Sequence, residues 1–202
     1  MVKKKKKKIN ILAITLARGG SKSIKSKNIT PLLGKPLIEY TIREVQKSKF
    51  IKDYIVSTDS KKISNICRKL KVEVPFLRPK ILSNDKASSV RALKHAVSFM
   101  EDKKGIKYDF IVEVMCTNPL KTFRDIDSCI KKIITTKADS VIAVHRIEDH
   151  HPSRVKKIIH DKIVDFFIKE KPESRRQDLR PKAYVRSGSI YVLKRNYLMY
   201  KS

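Results

Sequence analysis

Short, continuous apolar runs that alternate with longer amphipathic segments constrain this chain more than any other feature. Residues 9–17 (INILAITLA) are rich in Ile and Leu and stop at a glycine pair, which predicts a buried strand rather than a helix. Residues 36–49 (PLIEYTIREVQKSK) then place Leu37, Tyr40, Thr41, Glu44 and Val45 on adjacent helical positions, with Pro36 suited to a first turn. The same alternation continues with a strand at "DYIVSTD", a helix near 60–70, a short strand at "VEVPFL" and a helix over 88–104. Serines open that helix, and its apolar face is Val90, Leu93, Ala96, Val97 and Met100. A strand at "DFIVEVM", a helix at "FRDIDSCIKKIITTK" and a strand at "DSVIAVHRI" complete it. Repeated strand-helix-strand units of this length build a mostly parallel sheet, so the class is α/β.

From about residue 150 the pattern changes. "VKKIIHDKIVDFFIKE" predicts two strands joined at His160, Asp161 and Lys162, and "AYVRSGSIYVL" predicts a last strand that returns to the main sheet. Residues 150–182 therefore form a small β-rich insertion in a single domain of 202 residues. With 41% hydrophobic residues the chain can bury one sizeable core.

No apolar run reaches the roughly 18 residues of a membrane span. The basic tract Lys3 to Lys8 precedes an apolar run, as in a secretory leader, but that run contains Asn10 and ends in Arg18 without a small-residue cleavage site. Cys67, Cys116 and Cys129 are odd in number and far apart, which fits neither a disulfide framework nor a zinc site. These features predict a cytoplasmic protein with no membrane partner. The formal charge of +28 arises from 48 Lys+Arg against 20 Asp+Glu, spread along the chain rather than gathered into one basic segment with aromatics. The expectation is a lysine-biased surface with no specific nucleic-acid partner, whose field still attracts a nucleoside triphosphate.

Ligands of open parallel sheets sit at the carboxyl ends of the strands, which draws attention to residues 17–28. That loop has neither G-x-G-x-x-G nor G-x-x-x-x-G-K-[ST]. It has Gly19-Gly20, permitting close backbone approach, beside Arg18, Lys22 and Lys27, cations able to neutralise phosphates. Asp59 ends a strand on the same side and reads as an Asx turn more readily than as a catalytic group. His150 and His151, adjacent on an extended chain, point to opposite faces and do not converge on one metal ion.

The order of "LARGGSKSIKSKNI", "LLGKPLIEYTI", "IVSTDS", "VPFLRP", "SNDKASSVRALKHAV", "TNPLKTFRDID", "DSVIAV", "DHHPSR" and "ESRRQDLRPKAYVRSGSIYV" resembles that of the acylneuraminate cytidylyltransferases, over about residues 9–200. The resemblance implies a three-layer Rossmann-like nucleotidyltransferase fold. It also implies transfer of CMP from CTP to the anomeric hydroxyl of a nine-carbon acidic sugar of the sialic or legionaminate type, with pyrophosphate release and Mg²⁺ as cofactor. A Kdo cytidylyltransferase on the same fold and a noncatalytic polyanion-binding protein stand as the alternatives. By resemblance, Leu16 and Ala17 offer backbone groups to cytosine, Asn28 and Ser89 hold the nucleotide, and Arg78 lies near the same pocket. Arg154, Arg176, Gln177 and Tyr191 would contact the sugar, and residues 150–182 would serve as a lid and reach a partner subunit in a homodimer.

Three departures from the family pattern stand out. Met115 replaces a sugar-contacting glutamine, and Ser187-Gly188 replaces Asn-Gly. The family's Ile-Asp-x-Asp pattern, whose aspartates bind Mg²⁺, is expected beyond "YLMYKS", so the C-terminal metal-binding segment is absent from residues 1–202 and the metal ligands stay unassigned.

Overall fold

A computed structural model describes residues 9–21, 24–147, 149–167 and 175–201. Lys22 and the Lys3 to Lys8 tract lie outside the described residues. Contacts divide the chain into two units, Met1–Ala143 with Gly188–Ser202, and Val144–Ser187.

In the first unit, strand β1 (Ile11–Leu16) leads through a 3-10 turn at Lys27–Ile29 to a two-stranded hairpin, β2 (Pro31–Leu32) and β3 (Lys35–Pro36). Helix α1 (Leu37–Lys47), β4 (Asp53–Ser57), α2 (Lys61–Lys69), α3 (Ser89–Lys104), β5 (Phe110–Val114) and α4 (Phe123–Thr136) follow. Strand β6 (Ser140–Ile147) leaves this unit, and β9 (Ala183–Lys194) returns to it and ends in α5 (Arg195–Tyr200). The sheet order is β4-β1-β5-β9-β6, with β1 parallel to β4 and β5, and β9 antiparallel to β5. The α/β class and mostly parallel sheet expected from the alternation are thus observed.

Strand β1 reads as an unbroken apolar run because both its faces are covered. Leu12 and Ile14 pack with Leu93, Ala96, Val97 and Met100 of α3, whereas Ile11 and Ala13 pack with Val45 of α1 and Ile126, Ile130 and Ile133 of α4. A strand enclosed on both sides has no polar face to alternate. Two expectations need correction. The buried stripe of α1 is Ile38, Thr41, Ile42 and Val45, so it sits one position away from Leu37 and Tyr40, and the Tyr40 hydroxyl instead donates to the Leu32 carbonyl at 2.6 Å. The segment "VEVPFL" makes only two isolated bridges, Ile55 to Glu73 and Thr58 to Leu77, and is no strand. Its Pro75 has no N–H to give a ladder.

Arg195, at the start of α5, donates to Glu101 on α3 at 2.8 and 3.1 Å, and both residues are buried. Burial pushes the Glu101 carboxyl up, but the bonds from Arg195, Lys107 and the Tyr108 N–H outweigh it and hold the group below its usual value. Replacing Arg195 with Met removes two of the bonds to a buried carboxylate that keeps Lys107 and the Tyr108 N–H, so thermal or urea unfolding should show a loss of about 1.5–3 kcal/mol.

In the second unit, β7 (Lys156–Ile159) and β8 (Lys162–Asp165) pair antiparallel as expected, with Ile159 opposite Lys162. The turn is two residues, His160 and Asp161, at φ of 48° and 58°. That double left-handed geometry matches the twist of the flanking strands. Ile158 and Ile163 face one another across the hairpin and are 74% and 72% exposed.

Candidate functional site

Because β4, β1 and β5 run parallel, their last residues, Ser57, Leu16 and Val114, share one edge of the sheet, and the loops that follow meet there. Hydrogen bonds knit these loops together. The Ala17 N–H donates to the Ser57 carbonyl at 3.0 Å, and the Gly19 N–H donates to Asp59 Oδ1 at 2.8 Å. Asn28 Nδ2 donates to the Arg18 carbonyl at 3.0 Å, and Cys116 Sγ donates to Asn28 Oδ1 at 3.0 Å. Asp59 is therefore a clasp between two loops, a longer-range role than a local Asx turn. Asn28 is buried and is itself a clasp.

The two loop glycines differ. A Cβ on Gly19 would lie 2.9 Å from the Ser60 Cβ at the N-cap of α2, whereas a Cβ on Gly20 would meet nothing within 4 Å. Close approach is required at Gly19 alone.

Beside these loops lies a cleft of about 250 Å³, lined by Leu16, Arg18, Arg78, Ser89, Glu113 and Met115 among others. Arg18 Nη1 donates to Asp85 Oδ1 at 2.7 Å. Arg78 is 6% exposed and gives Nη2 to the Ser57 carbonyl at 3.2 Å, but its Nε has no hydrogen-bond partner among the described residues. Burial pushes its guanidinium pKa down, Asp59 opposes that shift, and Arg18 adds to it. A buried guanidinium with an unused N–H is set to receive an acceptor from a ligand. The 16-residue α3 begins here, with Ser88 at its N-cap and Ser89 as its first residue. The Ser88 side chain makes no capping bond, and Ser88 and Ser89 both line the cleft.

The sequence singled out Leu16, Arg18, Arg78 and Ser89, and the fold brings them to this cleft. Ala17 is fully buried behind it. Lys27 sits in the 3-10 turn beside Asn28, close enough to oppose the upward shift of the Cys116 thiol. Tyr191, on β9, stands directly opposite Glu113 of β5, and paired residues project to the same face. In the second unit, Arg176 and Gln177 line a separate pocket of about 100 Å³ with Arg146, His151 and Lys182. Arg176 also pairs with Asp149, and Arg154 ends a 3-10 turn.

His151 is buried, its Nδ1 accepting from the Ser153 N–H and its Nε2 lying 2.9 Å from the Pro181 carbonyl, which can only accept. Both ring nitrogens are thus in use, while His150 is exposed. Among the described residues no group of three or more His, Cys, Asp or Glu is placed to hold a metal ion. Near the cleft, Asp59 and Asp85 already serve Gly19 and Arg18. The described donor set therefore does not build a Mg²⁺ cage.

Two residues escaped the sequence reading. Lys121 is 6% exposed and donates to the Met115 and Asn118 carbonyls at 2.6 Å and to Thr41 Oγ1 at 2.7 Å, so it staples the loop after β5. Burial pushes its ammonium down to about 8, against the pull of Cys116 and Glu44. Nothing distinguishes it among 48 Lys+Arg. Glu113, 7% exposed, was visible as a lone carboxylate inside the apolar run "FIVEVM". Burial pushes its carboxyl up to about 7.

An α/β sheet with a cationic cleft at the carboxyl ends of its parallel strands defines a nucleotide-binding protein. The sequence profile of the cytidylyltransferases matches residues 12–200, and the chain belongs to that family of nucleotidyltransferases. It is 33% identical over 180 residues to a pseudaminic acid cytidylyltransferase of Campylobacter jejuni, covering 89% of this chain and 76% of that one. It is 30% identical over 189 residues to a CMP-N,N'-diacetyllegionaminic acid synthase of the same species, covering 94% and 79%. Its fold is similar to that of a CMP:2-keto-3-deoxy-manno-octonic acid synthetase complexed with CTP, with a TM-score of 0.68, 18% identity, and coverage of 94% of this chain and 76% of that one.

Two outcomes follow. Gly19→Ala should weaken nucleotide binding by ~10-fold or more while Gly20→Ala leaves it unchanged, as read by titration calorimetry. The raised Glu113 pKa means that the folded state holds a proton which the unfolded state releases from about pH 4.5 upward. The stability of wild type relative to Glu113→Gln should therefore fall by about 3 kcal/mol as pH rises from 4 to 8, with most of the change complete by pH 7.

Proposed function

We propose that this chain transfers CMP from CTP to the anomeric hydroxyl of a sialic-acid-like nonulosonic acid. The observation that carries the reading is the cleft in which the partly unsatisfied, buried Arg78 meets Arg18 and the first turn of a long helix. Family membership supplies the nucleotidyl chemistry. The sugar hydroxyl attacks the α-phosphorus, the bond to the β-phosphate oxygen breaks, and pyrophosphate leaves. Such a transfer needs positioning and charge neutralisation more than covalent help.

In this reading Leu16 and Ala17 present backbone groups to cytosine, and Arg78 and Ser89 hold the nucleotide. Asn28 keeps the loop in place, while Arg18, Lys22 and Lys27 neutralise the triphosphate. Tyr191 belongs to the acceptor side. In the second unit Arg154, Arg176 and Gln177 are assigned to the acidic sugar on the positive lining of that unit's own pocket. Magnesium is the cofactor of this reading and would supply charge neutralisation on the triphosphate, with no described residue assigned to hold it. The reading also includes a cytoplasmic location. Among the described residues no helix is long and apolar enough to cross a membrane.

The relatives named for pseudaminic and diacetyllegionaminic acids support a nonulosonic acceptor. The Kdo alternative has only the fold likeness at 18% identity behind it. Incubation with each of the four nucleoside triphosphates, Mg²⁺ and a panel of nonulosonic acids and Kdo should release pyrophosphate with CTP and a nonulosonic acid. Release with Kdo alone, or none at all beside salt-sensitive DNA binding, overturns the assignment. Arg18→Ala should lower kcat by ~100-fold with unchanged unfolding temperature.

The homodimer is proposed from the hairpin of the second unit, where Ile158, Ile163 and Phe167 are each more than two-thirds exposed. A second copy of this chain would cover that face. Light scattering should show a dimer that Ile158→Lys with Ile163→Glu converts to a monomer.

A further inference from the structure

Glu113 is the most unusual group in the cleft. It lies inside the sheet on β5, 7% exposed, between Ile14 of β1 and Tyr191 of β9 in the strand register. Among the described residues no hydrogen bond or ion pair reaches its carboxyl. The cleft's two arginines are directed elsewhere, Arg18 to Asp85 and Arg78 to the Ser57 carbonyl. Burying a carboxyl without a donor is costly, and a fold keeps such a group where a ligand completes it.

The surroundings define what that ligand offers. Met115 directly follows the last residue of β5 and lines the same cleft as Glu113. Leu16 and Ala92 line the same cleft. An acidic acceptor in a cleft that also holds the apolar Leu16, Ala92 and Met115 fits an acylamino group, whose N–H meets the carboxyl and whose acyl methyl meets Met115 or Ala92. A hydroxyl in its place could also donate to the carboxyl, but it brings no methyl to cover Met115 and Ala92. The presence of Met115 follows from the same logic, since an apolar residue suits the methyl.

We propose that Glu113 determines acceptor specificity by receiving the N–H of an acylamino substituent on the sugar, with Met115 packing against the acyl group. This inference rests on the nonulosonate reading above and goes beyond it in naming the substituent selected and the residue that selects it. It places the nitrogen-free 2-keto-3-deoxy-manno-octonic acid, the acceptor in the name of the structural relative, among the disfavoured substrates.

The experiment compares an N-acylated nonulosonic acid with its deaminated counterpart, in which a hydroxyl replaces the acylamino group. Wild type, Glu113→Gln and Glu113→Leu are measured by calorimetric binding and by kcat and KM for sugar and for CTP, after thermal unfolding verifies that each is folded. Wild type should favour the acylamino sugar by ~10-fold or more. Glu113→Leu should bring that ratio near unity and leave KM for CTP within about twofold. Glu113→Gln, which keeps a carbonyl acceptor in the same shape, should retain part of the preference. An unchanged preference in Glu113→Leu, or a change confined to KM for CTP, overturns the inference while leaving the broader reading intact. A wild type that releases no pyrophosphate yet binds the acylamino sugar, with that binding lost in Glu113→Leu, supports the Glu113 role and sinks the transferase reading. Absence of sugar binding to the wild type overturns the inference outright.

Discussion

Everything at the cleft depends on β1 being paired on both edges and covered on both faces. With Leu12 and Ile14 held against α3, and Ile11 and Ala13 against α1 and α4, the strand has no freedom to shift register without moving its apolar set to the wrong layer. Its parallel partners β4 and β5 end on the same edge, so the chain must turn out where Ser57 and Val114 also terminate. The Gly19 to Asp59 and Asn28 to Cys116 bonds convert that crowding into a defined loop. Gly19 is required because the N-cap residue Ser60 occupies the space that a side chain would need.

The charge of +28 and the charge of the cleft are separate matters. The first is spread over lysine-rich surfaces, where water and salt screen it beyond about 10 Å. Within the cleft Arg78 is buried, and its Nε has no hydrogen-bond partner among the described residues. Glu113, in the same enclosure, moves in the opposite sense, kept near neutrality by the burial that makes the cations effective. Burial in one cleft thus pushes both groups toward their neutral forms.

Legibility followed the length scale of the interactions. The strands and helices could be read because burial on both faces writes a continuous apolar run and burial on one face writes a helical stripe. Arg18 could be placed because the loop that carries it follows a strand, whereas Arg78 and Ser89 were placed by the resemblance of the motif series to the acylneuraminate cytidylyltransferases. The stripe of α1 was misread by one position, since Leu37 and Tyr40 are half-buried near a hairpin that has no pattern of its own. The segment "VEVPFL" reads as a strand locally but joins the sheet only through two bridges. Lys121 was invisible, because what makes it unusual is the set of carbonyls around it and not its neighbours in the chain.

Taken alone, the sequence determined the α/β class with its mostly parallel sheet, the strand ends as the place to look for a ligand, and the hairpin of the second unit. These are consequences of periodicity and turn chemistry, and both act over a few residues. The tertiary structure decided which of two adjacent glycines is indispensable, which polar residues clasp loops and which face the cleft, and that Glu113 is buried at the cleft rather than solvated. Those outcomes depend on distances between segments dozens of residues apart, such as Gly19 to Ser60 and Asn28 to Cys116, and only the packed chain brings those segments into contact.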